Sequence, residues 1–369
     1  MKKFSIVLWV LAFLLVLFFC GTLPCFSCST FVLKCGNHLI FGRNWDHYSS
    51  KGLMIVNKRN IAKTALLAPP EKSARWISKY GSLTFNQIGK EFPYGGMNEK
   101  GLVVEMMWLE DTKYPEPDER PALMEVQWIQ YQLDNFSTVE EVINSQSRIR
   151  ISQSMSKLHY LVCDRSGNAA TVEFIDGKCV THTGEDLPVA ALTNDTYDSC
   201  LELLQAYKDF DWEKKIDHTT LRSRDRFIKI ARRIEDFQSE NIQPVVDYAF
   251  DILTSVGAGK VGQHCTAWSV VYDVKNLQIY FKTFENRRIR VVKLSDFDFS
   301  CDTPSSVLDL NQDLEGDVSG DFFEYTSMIN RILIETVFGI YEEVGFLPEI
   351  SEFQITFLAN YPETLKCNK

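Results

Sequence analysis

Histidine is scarce in this sequence: six residues in 369, scattered along the chain. His264 sits beside Cys265, but neither has the spacing of a known metal site. No metal and no cofactor is therefore expected. The sequence carries no phosphate-binding loop and no paired-carboxylate signature. Basic charge is also short, 39 Lys and Arg against 49 Asp and Glu, for a net charge of −10. That balance argues against nucleic acid as a partner. From residue 28 to about 300 there is no Pro/Gly/Ser-rich hinge, low-complexity tract or internal repeat. The length alone would allow two domains, but without a linker one large domain is the simpler expectation. Long apolar runs are absent except at the start.

That one run is informative. Met1-Lys2-Lys3 is a short positive segment, and Phe4 to Phe19 is apolar apart from Ser5. Gly21-Thr22-Leu23-Pro24 breaks a helix, and Cys25-Phe26-Ser27 has small residues at its first and third positions. Positive start, apolar middle and small-x-small end predict a secretory signal peptide over 1–27, removed to leave an exported chain, periplasmic or secreted. The run is short for a permanent membrane span. Removal would leave Cys28 at the N-terminus. Eight of the ten cysteines then remain. If Cys28 stays a free thiol, seven are left, an odd number, so complete pairing is excluded. Cys163 and Cys179 lie in apolar, strand-like stretches and read as buried thiols. No disulfide is assigned.

Cys28–Leu33 and His38–Asn44 read as strands joined by a Lys34-Cys35-Gly36-Asn37 turn. Gly52–Asn57 and Gly101–Leu109 continue the β pattern, with a turn expected at Gly95-Gly96-Met97-Asn98. Residues 109–120 read as a loop and a candidate lid. Helices are expected from Pro121 to Asn135 and over Val139–Ser147, capped by Ser137 or Thr138. Strands return at His159–Cys163, Ala170–Phe174, Lys178–His182 and Leu187–Thr193. Helices follow over Ser199–Lys208, Leu221–Glu235 and Pro244–Thr254. A meander of Thr266–Tyr272, Gln278–Thr283 and Arg288–Leu294 comes next, then a loop from Asp296 to Gly320 and a helix from Asp321 to Val344. Antiparallel strand blocks alternating with helix pairs predict layered α+β.

An N-terminal Cys carries two reactive groups on one residue. Its thiol, with a reference pKa near ~8.5, is a nucleophile, and its α-amine, near ~7.7–8.0, can take the thiol proton. Phe41-Gly42-Arg43-Asn44-Trp45-Asp46 returns beside Cys28 in the hairpin. Asp46 would hold or orient the amine, and Arg43 would lower the thiol pKa. Strand alternation puts Arg43 on the side of Leu39 and Phe41, an inward position that calls for a partner. On the Leu221–Glu235 helix, Arg226 borders the apolar face of Phe227, Ile230, Ala231 and Ile234, with Arg222 as a rival on the same side. Asn194, in Thr193-Asn194-Asp195, reads on its own as turn chemistry. Trp45, Tyr48, Met107 and Trp108 are candidates to line a substrate pocket, which the resemblance given below would make an acyl pocket.

Several of these blocks resemble, in order, the choloylglycine hydrolases, a family that includes conjugated bile acid hydrolases and penicillin V acylases. The resemblance rests on Cys28-Ser29-Thr30, on Phe41 to Asp46 and on Gly96-Met97-Asn98-Glu99-Lys100-Gly101-Leu102. It continues through Leu192-Thr193-Asn194-Asp195, Arg226-Phe227 and the Trp268 to Arg287 meander, so it runs from Cys28 to about Leu294. It implies the four-layer αββα N-terminal-nucleophile fold over 28–300, with 301–369 as an extension that packs on the domain or serves assembly. It implies Cys28 as nucleophile and base, tuned by Arg43 and Asp46. Asn194 and the backbone N–H of Trp108 would hold the oxyanion, and Arg226 would complete the network. The substrate would be a small N-acyl amide, of the bile-acid-conjugate, penicillin V or acyl-homoserine-lactone type. A homotetramer is common in the family. Two departures stand out. Thr196 follows Asp195 where Pro is frequent, and Trp108 stands where bile acid hydrolases tend to carry Asn and penicillin acylases Tyr. The rival expectation is a non-catalytic, exported or lipid-anchored module that keeps the fold.

Overall fold

The computed structural model describes residues 27–154, 156–207, 222–240, 244–258 and 265–368. The predicted signal peptide apart from Ser27, and His264, lie outside these residues. Two large sheets form the centre. The first runs Ala191–Leu192, Ser29–Cys35, His38–His47, Cys265–Asp273, Gln278–Thr283, Arg290–Lys293 and Gly316–Asp317. The second runs Lys178–Thr183, Ala169–Ile175, Leu158–Cys163, Val103–Trp108, Pro93–Asn98, Ser82–Asn86, Leu53–Asn57, Ser306–Asp309 and Phe323–Glu324. Apart from the parallel contact of Arg290–Lys293 with Gly316–Asp317, neighbours in these sheets are antiparallel. Their inner faces meet through aromatic rings: Phe85 of the second sheet lies 6.3 Å from Trp268 and 5.9 Å from Phe281 of the first. Helices Ser223–Glu240 and Val245–Ser255 cover the first sheet, and Glu125–Asn135 and Val139–Ser145 cover the second. This is the four-layer αββα arrangement of N-terminal-nucleophile hydrolases.

The strands form where alternation and turn chemistry dictate. The first hairpin turns at Gly36, whose φ of +54° suits a residue without Cβ. Its register pairs Ser29 with Asn44 and Thr30 with Arg43, which returns Trp45 and Asp46 to the level of Cys28. Thr138 caps the Val139–Ser145 helix in a reciprocal capping box with Glu141. Thr196 is itself a cap: its hydroxyl accepts the Ser199 N–H at the start of Tyr197–Ala206. The departure from Pro at that position therefore has a helix-starting role.

Several expected elements differ. Pro121 does not open a helix. Ala122–Leu123 pairs in parallel with Arg150–Ile151, and the helix starts at Glu125. The Gly95-Gly96-Met97-Asn98 stretch is not a turn but part of strand Pro93–Asn98. Glycine serves there by leaving space: a Cβ on Gly95 would lie 1.8 Å from a Glu105 carboxylate oxygen. Leu187–Thr193 shrinks to Ala191–Leu192 after a short turn of helix at Gly184–Asp186. The 296–320 loop contains two short strands. Beyond it, helix Ser327–Glu343 begins six residues later than expected and is followed by a second helix, Glu352–Asn360. The tail is tied back by the Cys301–Cys367 disulfide and by pairing of Lys366–Cys367 with Ile61–Thr64. Cys28, Cys163, Cys179, Cys200 and Cys265 are free thiols. Among the described residues no helix is long and apolar enough to cross a membrane.

Candidate active site

Cys28 is fully buried at the edge of the first sheet, one residue before the Ser29–Cys35 strand. Its thiol approaches the backbone carbonyl of Asp46 at 3.9 Å. Burial pushes the thiol up to about 11, against the pull of Arg43; the Asp46 charge adds to the rise. In this chain Ser27 still precedes Cys28, so the nitrogen of Cys28 is a peptide nitrogen and not an amine.

Asp46 is also wholly buried. Neither of its carboxylate oxygens has a hydrogen-bond partner among the described residues. Thr266, the Arg226 and Arg43 charges and the Ala258 backbone all favour the charged form, though none is in hydrogen-bond geometry with it. Burial wins, and the carboxyl is raised to about 6. A buried carboxylate without a partner is costly. This one sits beside the place where cleavage before Cys28 would create a cation.

Arg43 is buried and paired, as its inward position required. It plugs the fork where strands Pro93–Asn98 and Val103–Trp108 diverge. One terminal nitrogen donates to Tyr94 O at 3.0 Å and to the Glu105 carboxylate, and the other donates to Met106 O at 2.9 Å. Tyr272 donates to the same carboxylate. Burial raises Glu105 to about 7, against the pull of Arg43.

Arg226, Asn194 and Trp108 form a chain of polar contacts that reaches the Cys28 backbone. Arg226 donates to the carbonyl oxygen of Ser27, to Cys28 O at 2.5 Å and to Ser29 Oγ at 2.7 Å. Its second terminal nitrogen donates to Asn194 Oδ1 at 2.9 Å. Because that oxygen is taken, the Asn194 amide nitrogen must face the other way. It donates to Trp108 O at 2.8 Å, leaving its second hydrogen for a ligand. The Asn194 backbone N–H donates to Ser223 Oγ at 2.7 Å. Trp108 sits opposite Leu158, and Leu109 N–H bonds Lys157 O at 3.0 Å. Trp108 is thus the non-hydrogen-bonded position of that ladder, with its N–H and C=O both turned to the Asn194 side.

Behind Asn194 lies a support the sequence reading passed over. His159 Nε2 is 2.7 Å from Thr193 O, and its Nδ1 is 3.0 Å from Glu173. A carbonyl can only accept, so Nε2 carries a proton. Glu173 also accepts the Tyr197 N–H at 3.2 Å. The dyad is buried and pins the Thr193–Asn194 segment. Glu105, His159 and Glu173 all carried a legible signal, an ionisable residue inside an otherwise apolar strand, which is unusual unless paired.

A cavity opens beside these groups, lined by Trp45, Met106 and Trp108, by Val126 and Leu158, and by Tyr341 from the tail. Trp45 and Trp108 fall where expected. Met107 does not line it: alternation along Val103–Trp108 turns Met106 and Trp108 to the cavity and buries Met107 on the opposite face. Tyr48 stands behind the lining, its ring 5.6 Å from Phe346. None of residues 109–120 lines it either. Lys113 is held at the sheet edge by bonds to Phe174 O and from Gly177 N, at 2.8 and 3.0 Å.

Known proteins share this arrangement. A model of the linear amide C–N hydrolases of the choloylglycine hydrolase type matches residues 28–309. The chain belongs to the choloylglycine hydrolase family. It is accordingly an enzyme of the linear-amide C–N hydrolase class. It is 30% identical to a penicillin V acylase of Pectobacterium atrosepticum over 265 residues, 62% of this chain and 70% of that one. Among solved structures, a penicillin V acylase of Agrobacterium tumefaciens superposes with a TM-score of 0.71 at 28% identity, covering 81% of this chain and 98% of that one. A conjugated bile acid hydrolase of Clostridium perfringens shares the fold, with a TM-score of 0.65 at 18% identity over 81% of this chain and 97% of that one.

Proposed function

We propose that this chain is an exported N-terminal-nucleophile hydrolase whose catalytic residue, Cys28, is created by cleavage after Ser27. The observation that carries the proposal is Asp46, a buried carboxylate with neither oxygen hydrogen-bonded among the described residues and with its charge felt at the Cys28 thiol. Cleavage would place an α-ammonium there, and an opposite charge within a few ångströms favours ionised Asp46. The same cation, with Arg43, would lower the thiol from the high value burial imposes.

The neutral amine takes the thiol proton, and the thiolate attacks the carbonyl carbon of an N-acyl amide. The developing oxyanion is held by the Asn194 amide and the Trp108 N–H. The ammonium then protonates the leaving nitrogen, the C–N bond breaks and a thioester remains. The amine next takes a proton from water, hydroxide adds to the thioester, and the C–S bond breaks to release the acid. Arg226 fixes the amide orientation of Asn194 and the backbone of Cys28. The N-acyl substrate follows the penicillin V acylase relatives, with the acyl group beside Trp45 and Trp108. Cys28→Ala should abolish hydrolysis of phenoxyacetyl amides while the protein stays folded. Retained turnover in that variant would remove the mechanism.

A further inference from the structure

The match to the family ends at residue 309, yet the cavity lined by Trp45, the cross-strand neighbour of Cys28, and by Trp108, the partner of Asn194, is completed by residues beyond that point. Tyr341, Phe346 and Leu347 form its outer wall. We propose that the C-terminal extension is the specificity wall of the acyl pocket, setting the largest uncharged acyl group the enzyme accepts. This deepens the hydrolase reading above and rests on it.

The wall is built, not incidental. Helix Ser327–Glu343 ends in a Schellman turn. Gly345, at φ +69°, donates to Glu342 O at 2.9 Å, and Phe346 N–H reaches back to Tyr341 O at 2.7 Å. The ring contact that accompanies such a turn is present, Tyr341 to Phe346 at 5.2 Å. The turn therefore swings Phe346 and Leu347 back over the cavity. Tyr341 is buried and tied to the catalytic side: its hydroxyl donates to Gln87 Oε1 at 2.9 Å, and Trp45 Nε1 donates to the same oxygen at 3.4 Å. His47 lies between the two sides, 4.9 Å from Trp45 and 5.0 Å from Tyr341. The base of the tail is anchored independently. Asn330 accepts the Lys90 N–H at 2.8 Å, and Tyr361 donates to Thr64 O at 2.7 Å.

Size and charge indicate what the wall selects. The cavity volume is ≈ 50 Å³, whereas a cavity that holds a benzene ring is roughly 150 Å³. A ring-bearing acyl group needs one wall to give way. Trp45, Met106, Val126 and Leu158 are buried in the core and cannot. Phe346 and Leu347 are only half-buried and can. No Asp, Glu, Lys or Arg is among the described lining residues, which disfavours a charged acyl group.

The test uses the mature enzyme and three chromogenic anilides with one leaving amine: butanoyl, phenoxyacetyl and decanoyl. Phe346→Ala should raise the decanoyl-to-butanoyl ratio of kcat/KM about tenfold or more, and Phe346→Leu should give a smaller shift of the same sign. A ratio unchanged within about twofold in both folded variants would overturn the proposal while leaving the hydrolase reading intact. If the parent enzyme hydrolyses none of the three, the penicillin V acylase-like substrate of the reading above fails instead. Tryptophan-fluorescence titration with butanoate and decanoate, in Cys28→Ala with and without Phe346→Ala, then decides. A Phe346-dependent change in acid preference supports the wall, and no change overturns it.

Discussion

Two buried clusters in this molecule each set a carboxylate among cations and end differently. Around Lys63, every carboxylate oxygen is matched. Lys63 Nζ lies 2.7 Å from Glu91 and 3.0 Å from Asp134. Lys90 takes the other oxygen of Glu91, and Trp76 and Gln130 donate to Asp134. Burial would raise Glu91, but the two lysines hold it at about 2. Around Cys28, Asp46 has no such partners. The first cluster fastens strand Ile61–Thr64 to helix Glu125–Asn135 and is complete as it stands. In the second, Arg226 and Arg43 act on Asp46 through their charge, but neither carboxylate oxygen is hydrogen-bonded among the described residues. A fully satisfied buried network indicates architecture, and an unsatisfied carboxylate beside a nucleophile indicates chemistry.

The contrast can be broken from either end. Lys63→Met leaves Asp134 buried without its cation and Glu91 with Lys90 alone, and should cost about 3–5 kcal/mol, read as a fall in Tm with the catalytic groups untouched. Asn194→Ala should do the reverse, lowering kcat about 10²–10³-fold with little change in Tm. Unequal effects of this kind would separate the two clusters; equal ones would merge them.

A smaller effect sharpens the role of Asp46. Its pKa in the uncleaved chain lies above the ordinary 3.8, at about 6. Between those values the folded state binds more protons than the unfolded one. The contribution is therefore full below pH 3.8 and is lost as pH rises through about 6. In a chain kept uncleaved, Asp46→Asn should flatten that part of the stability profile, measured by denaturant midpoint against pH. In the cleaved enzyme, the proposed pairing of the amine with Asp46 predicts that the same substitution leaves that part of the slope unchanged. The smallest effect concerns the helix start beside Asn194: Thr196→Ala removes a cap and should cost about 1 kcal/mol, read by chemical denaturation.

Much of the inner site was legible because it is local. The hairpin register follows from alternation and one turn, so Cys28, Arg43 and Asp46 could be placed together from their spacing. Asn194 was legible only through the resemblance, since turn chemistry explains it in isolation; helix periodicity brought Arg226 to the border of an apolar face but left Arg222 as a rival that the resemblance set aside. Met107 was placed one residue out of phase with the pocket, a single-step error along a strand whose both faces are buried and whose polarity gives no cue. Glu105 and His159 were passed over because their partners, Arg43 and Glu173, lie on other strands. The tail wall was out of reach. Nothing local to Phe346 indicates that a Schellman turn will carry it against His47, some three hundred residues earlier in the chain.

The most direct test of the account is the intact mass and N-terminal sequence of the protein recovered from its native host. The account predicts a chain that begins at unmodified Cys28, with thiol and amine both free. A chain that begins elsewhere, or a lipid on Cys28, would contradict it and leave the rival reading of an exported or lipid-anchored module that keeps the fold.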